Sequence, residues 1–222
     1  MPAPLLVFDL DGTLVDTAPD LVDTLNVVLA REGLPTVPYE SARMMIGGGA
    51  KAMLARGLEA DGRAATPAIM DRLFADFIAY YTDHIAVRSR PFPGLIEALD
   101  TLGARGHRFA VCTNKLERLS VLLLRALDLA DRFEVVCGQD TFGIQKPDPE
   151  VLRRTIAAAG GMAGEAVMIG DSATDIRTAR AAGVPVIAVD FGYSETPVAA
   201  FAPDRIISHF HQLPGEIASL SA

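Results

Sequence analysis

The sequence predicts an α/β protein: a doubly wound, Rossmann-like parallel sheet as the core, with an α-helical subdomain inserted near its start. Three observations carry this. Short continuous apolar runs recur at about 4–9, 108–113, 133–137, 166–170, 185–189 and 204–207, as expected of strands covered by helices on both faces. Helical patterns lie between them, near 94–105, 117–127, 149–159 and 174–182, and such alternation implies right-handed crossovers and parallel pairing. The stretch from 16 to 90 breaks the alternation and holds helical patterns alone.

The first strand runs into FDLDGTL at 8–14, which sets Asp9 and Asp11 where the strand ends and a turn begins. A carboxylate is costly in a core, and the carboxyl ends of open α/β sheets are where ligands bind. Alone, the pair is also ordinary turn chemistry. Gly12 permits a turn that a side chain would obstruct, and Thr13 is expected to bond nearby backbone.

Next come four predicted helices, at about 18–31, 39–46, 50–59 and 66–84. Leu21, Leu25, Val28 and Leu29 form one apolar stripe, and Leu73, Phe77, Ile78 and Tyr81 another, so these faces must pack on one another. The expected division is a core of residues 1–15 and 91–222 and an insert of 16–90, with hinges near Asp16 and at 86–91. Inside the insert, Gly47, Gly48 and Gly49 form either a plain loop or a place where backbone amides approach a ligand. Arg43, Lys51 and Arg56 are cations nearby.

Beyond the insert, Pro93 sits at the start of a helix that Gly106 closes. The second strand ends in Thr113 and Asn114, and Lys115 follows as a further candidate for touching substrate. Lys146 precedes Pro147, which favours an extended lysine. The strand AVMIG at 166–170 leads into Asp171 and Ser172, with Asp175 one turn into the next helix. Gly183 and Pro185 stop that helix.

The chain has 222 residues, half of them apolar and 22% charged, enough for a sizeable core. Net charge is −8 and no basic run exceeds two adjacent residues, which argues against nucleic acid and against anionic lipid as partners. An anionic substrate must therefore be drawn in by a local site. Cys112 and Cys137 lie in apolar runs and read as buried free thiols. The start, Met-Pro-Ala-Pro, lacks a charged segment and no apolar stretch reaches membrane-spanning length, so a soluble, cytoplasmic monomer or homodimer is expected. His209 and His211 alternate as on a strand edge without a third ligand nearby, and read as surface residues; His84 and His107 read as structural.

Taken in order, the four polar clusters resemble the motifs of the haloacid dehalogenase superfamily, whose members are mostly phosphohydrolases, over residues 5 to about 209. A phosphate monoester demands accelerations that can reach about 10²¹-fold, so nucleophile, proton donor and cations must act together. The resemblance implies Asp9 as a nucleophile that forms an aspartyl-phosphate, and Asp11 as general acid and base. It implies Thr113 and Asn114 as phosphate holders through hydroxyl and backbone amide, and Lys146 as the charge that neutralises nucleophile and phosphoryl group. Asp171, with Asp9 and the backbone carbonyl of Asp11, is then the seat of Mg²⁺, and Asp175 either reaches that ion, directly or through water, or is a helix-start acid. The insert becomes a helical cap.

Asp11 separates reaction types within the superfamily: dehalogenases lack a second acid there, and phosphonatase-like relatives carry alanine and use a cap lysine, a position Lys51 could fill. The glycine run 47–49, with FGYS at 191–194 and with Pro203 and Asp204, resembles phosphoglycolate phosphatases. That likeness implies a small phosphorylated metabolite, 2-phosphoglycolate first, with Arg43, Lys51 and Arg56 as candidates for its carboxylate. The alternatives are a β-phosphoglucomutase-like phosphoryl transferase, a sugar-phosphate or nucleotide phosphatase, and a catalytically idle binding module.

Overall fold

Leu5, Leu6, Val7 and Phe8 are buried on both sides, and a run with no polar face is stable only as a central strand. A computed structural model describes residues 3–64 and 66–220. In chain order its elements begin with β1 (Leu5–Phe8), β2 (Val15–Asp16), α1 (Ala18–Arg31), α2 (Tyr39–Arg43), α3 (Ala50–Ala60), α4 (Pro67–Asp83), β3 (Arg90–Pro91), α5 (Leu95–Ala104) and β4 (Arg108–Cys112). They continue with α6 (Glu117–Ala126), β5 (Val135–Cys137), α7 (Pro149–Ala158), β6 (Ala166–Gly170), α8 (Ala173–Ala182), β7 (Val186–Val189), β8 (Arg205–Ile207) and α9 (Leu213–Leu220).

The six apolar runs are six strands of one parallel sheet, ordered β5-β4-β1-β6-β7-β8. One face packs Leu6, Phe8, Val111 and Ile169 under α5, α6 and α9; the other packs Val7, Ala110, Met168 and Ala188 under α7 and α8. This is the doubly wound α/β arrangement. Chain order reverses on either side of β1, so a crevice opens at its carboxyl end.

The helices α1 to α4 share an apolar centre that includes Leu25, Leu54, Leu58, Leu73 and Phe77. Leu119 of α6 belongs to the same cluster, so the insert seats on the core through that helix. Two short strands flank it as an antiparallel ribbon, Val15 facing Pro91 and Asp16 facing Arg90. Buried Asp20 ties the ribbon's approach: it accepts from the amides of Arg88 (3.0 Å) and Ser89 (2.7 Å) and from the Ser89 hydroxyl (2.6 Å).

Several expectations shift. The helix expected at 39–46 ends at Arg43, and the chain then turns through Met44, Met45 and Ile46 towards Gly47, whose φ of 114° suits glycine. The ribbon and α9 answer to no sequence expectation. His209 and His211 do not lie on a strand; His209 caps a short 3₁₀ turn and the two rings sit 4.2 Å apart. His84 and His107 bond backbone carbonyls of Tyr80 and Pro4. Of the expected core, residues 1, 2, 221 and 222 lie outside the described residues, and with them half of the Met-Pro-Ala-Pro segment. Among the described residues no helix is long and apolar enough to cross a membrane.

Candidate active site

Parallel pairing brings the ends of β4, β1 and β6 level, since Val111, Phe8 and Ile169 are register partners. Thr113, Asp9 and Asp171 therefore follow three adjacent strands into the crevice, and all three are buried. The Asp9 amide donates to Ile169 O at 2.9 Å, which fixes the turn out of β1.

The Lys146 ammonium, itself buried, lies 2.9 Å from Asp9 Oδ1 and donates to Asp175 Oδ1 at 2.6 Å. The approach to Asp9 is an ion pair without hydrogen-bond alignment, so Asp9 Oδ1 keeps an unsatisfied lone pair. Burial pulls the lysine down, but Asp175 and Asp9 outweigh it and hold its pKa above the ordinary value. Asp148 and Pro149 start α7, the Asp148 carboxylate capping Glu150 N at 2.9 Å. Asn114 clamps the lysine's backbone at two points, accepting from its amide (2.9 Å) and donating to its carbonyl (3.1 Å). One motif thus positions another.

Asp171 accepts from the Thr13 hydroxyl (3.1 Å) and from the Tyr193 amide (2.8 Å). Thr13 therefore bonds a side chain across the site, where nearby backbone was expected. Asp175 is committed on both oxygens, Oδ1 to Lys146 and Oδ2 to the Ser172 hydroxyl (2.6 Å) in a capping box that opens α8. It is a helix-start acid and a lysine anchor at once.

One oxygen each of Asp9, Asp171 and Asp175 lies within 4.8 Å of the others. Burial pushes the Asp9 carboxyl up to about 6 against the pull of Lys146, with the Asp175 and Asp11 charges adding to the rise. Burial and the Asp175 and Asp9 charges push Asp171 up to about 8, against its two hydrogen bonds. Three buried carboxylates with one buried ammonium are short of positive charge. An all-oxygen donor set with an unsatisfied Asp9 oxygen fits a hard divalent cation. Glycines make room for the Asp171 carboxylate: a Cβ on Gly12 or on Gly192 would stand 2.4 or 2.3 Å from Asp171 Oδ2.

In front of Asp9 lies a cavity of about 40 Å³. Its floor is Asp9, Asp11, Thr113, Asn114 and Lys115; its roof comes from the insert, with Leu21, Ile46, Gly47, Gly49, Met53, Phe77 and Tyr81. Gly47 O accepts from Asn114 Nδ2 at 3.3 Å, so the glycine loop rests on the second strand-end motif. At Gly49, φ is 83° and a Cβ would come within 3.0 Å of Asn114 O.

Arg43, Lys51 and Arg56 are not brought to this cavity, and neither is Gly48. Arg43 donates to the carbonyl of Gly192 (3.0 Å) and covers the Tyr193 ring, bridging insert and core. Lys51 faces solvent beside Asp71, and Arg56 reaches Met44 O. What sequence reasoning missed is the pairing of Lys115 with Asp11, at 3.0 and 3.2 Å, and the Tyr193 hydroxyl, which donates to Asp16 (2.6 Å) and accepts from the Ala18 amide (2.9 Å). No sequence signal joins Lys115 to Asp11; Tyr81 lay in view only as part of an apolar stripe.

A haloacid dehalogenase-like hydrolase family model matches residues 6–189. The phosphoglycolate phosphatase of Mesorhizobium japonicum is 49% identical over 218 residues, 98% of this chain and 96% of that protein. The phosphoglycolate phosphatase of Caulobacter vibrioides is 47% identical, over 94% and 88% of the two chains. Among solved structures, a predicted phosphoglycolate phosphatase from Haemophilus somnus superposes with a TM-score of 0.90 at 29% identity, covering 96% of this chain and 97% of its own. With its doubly wound sheet and its acids gathered at the switch point, the chain belongs to the haloacid dehalogenase-like hydrolase family.

Proposed function

We propose that this hydrolase is a Mg²⁺-dependent phosphatase of small monoesters that works through an aspartyl-phosphate, with 2-phosphoglycolate as its substrate. The observation that carries the reading is the unsatisfied, buried oxygen of Asp9 at the floor of the cavity, flanked by Lys146 and Asp171. The two phosphoglycolate phosphatases that match nearly the whole chain support the choice of ester.

In the first half-reaction an Asp9 carboxylate oxygen attacks phosphorus in line, the ester P–O bond breaks, and Asp11 gives its proton to the departing alkoxide. In the second, Asp11 takes a proton from water, that water's oxygen attacks phosphorus, and the P–O bond to Asp9 breaks to release phosphate. Lys146 holds the phosphoryl oxygens beside Asp9, and Thr113 with the Asn114 amide holds them from the β4 side. Asp9, Asp171, Asp175 and the Asp11 carbonyl would hold the cation, which when bound would offset charge on the phosphoryl oxygens. Residues 16–90 act as the cap that excludes bulk water, hinged at the two ribbon strands. Cys112 and Cys137, unbridged on facing positions of β4 and β5, support a reducing cytoplasm as its place of work.

The test is phosphate release from 2-phosphoglycolate, sugar phosphates, nucleoside monophosphates and an aryl phosphate, with Mg²⁺ and with EDTA. A Mg²⁺-dependent preference for 2-phosphoglycolate of about tenfold or more is expected. A flat profile would remove the substrate, and no release from any ester would remove the phosphatase.

A further inference from the structure

Lys115 is buried, and among the described residues it is the cation that lines the cavity. Its ammonium bonds both oxygens of Asp11, at 3.0 and 3.2 Å, and stands 4.4 Å from the centre of the Tyr81 ring. Tyr81 lines the same cavity, is 1% exposed, and its hydroxyl has no hydrogen-bond partner. A buried hydroxyl without a partner costs stability unless something else uses it. Both residues thus line the space in front of the nucleophile, one with an ammonium and the other with a hydroxyl that has no partner.

We propose that the Lys115 ammonium and the Tyr81 hydroxyl form the carboxylate-binding subsite of this enzyme, so that substrate choice rests on a core lysine and one cap tyrosine. The inference rests on the phosphatase reading above and names the part of the substrate that reading leaves unplaced. An ammonium and a hydroxyl donor on the same cavity suit a planar anion with two oxygens. The walls sharpen the choice: Leu21, Ile46, Met53 and Phe77 offer no partners to hydroxyl groups, and Gln139 is the one further polar side chain beyond the strand-end residues. A sugar or nucleoside would leave several hydroxyls unpaired there, while a short carboxylic acid leaves none. The arginines and lysine of the insert are engaged elsewhere, and Lys146 is held by Asp9 and Asp175.

The experiment compares kcat/KM for 2-phosphoglycolate with that for ethyl phosphate, which lacks the carboxylate, in the wild type and in Lys115→Met, Lys115→Arg and Tyr81→Phe. The wild type is expected to favour 2-phosphoglycolate, Lys115→Met to cut that ratio about tenfold or more, and Lys115→Arg to restore part of it. Tyr81→Phe removes only an unpartnered oxygen, so it is expected to lower the ratio without lowering Tm, which a purely structural role would not do. A ratio unchanged in both Lys115→Met and Tyr81→Phe overturns the subsite. If the wild type hydrolyses neither ester, the reaction has failed and calorimetry decides the subsite, with phosphonoacetate against methylphosphonate. A wild-type preference for phosphonoacetate that Lys115→Met abolishes upholds it, and equal affinity for the two overturns it.

Discussion

Asp9 closes a strand whose four residues are all buried, and its carboxyl stands at about 6 because burial outweighs the nearby lysine. Asp9→Asn keeps the shape and removes the proposed nucleophile, so turnover is expected to fall by about 10⁴-fold or more while the Tm holds, measured on protein of verified mass. Taking one charge out of three crowded acids relieves repulsion, and a melted variant would count against the placement of Asp9. Asp11→Asn is expected to slow esters with poor leaving groups far more than aryl phosphates, because only the former need a proton; equal losses would remove its acid role. Asp9, Asp11, Lys146 and Asp171 were legible in the sequence because each sits at a strand end or before a proline, where an acid or lysine has no packing reason to be. Lys115 was legible only as a neighbour of Asn114. Its bond to Asp11 spans 104 positions, and no local pattern reports a contact of that separation.

Between residue and molecule stand the linkers. Asp20 accepts from two amides and a hydroxyl at the second linker, and it does so from inside the first turn of α1. Asp20→Ala leaves the two Ser89 donors buried and unpaired, with an expected cost of about 2–3 kcal/mol. For a chain of this size that is a fall in Tm of roughly 5–10 °C, read by thermal melt, and an unchanged Tm would show that water replaces the carboxylate. Long elements were legible: the six strands and seven of the eight expected helices lie close to where apolar spacing put them. The ribbon was not, since strands of two residues have no period to detect. Helix α2 stopped short because the glycine loop that follows must turn down onto Asn114, a tertiary demand that overrides the local pattern.

At the scale of the whole molecule, the acid cluster links protons, cation and stability. Asp9 and Asp171 rise from the ordinary carboxylate value of 3.8 to about 6 and about 8 when no cation is bound. The cation-free folded chain then binds more protons than the unfolded chain between those limits. Stability is therefore fully present below about pH 4 and is lost as pH climbs through 6 and 8. On the proposed reading Mg²⁺ binds the ionised forms, so the gap in Tm between Mg²⁺ and EDTA is expected to widen by about 3 °C or more from pH 5 to pH 8. Differential scanning fluorimetry across that range would falsify the cation site if the gap stayed constant. Tyr193 gives this cluster a mechanical side. Its amide grips Asp171 while its hydroxyl grips Asp16 and the Ala18 amide in the first linker. Any swing of the helices about that linker either drags the amide away from Asp171 or tears the hydroxyl from Asp16. On the proposed reading the tyrosine is a connecting rod between lid and crankcase: lifting the lid and slackening Asp171, which would hold the cation, are one stroke.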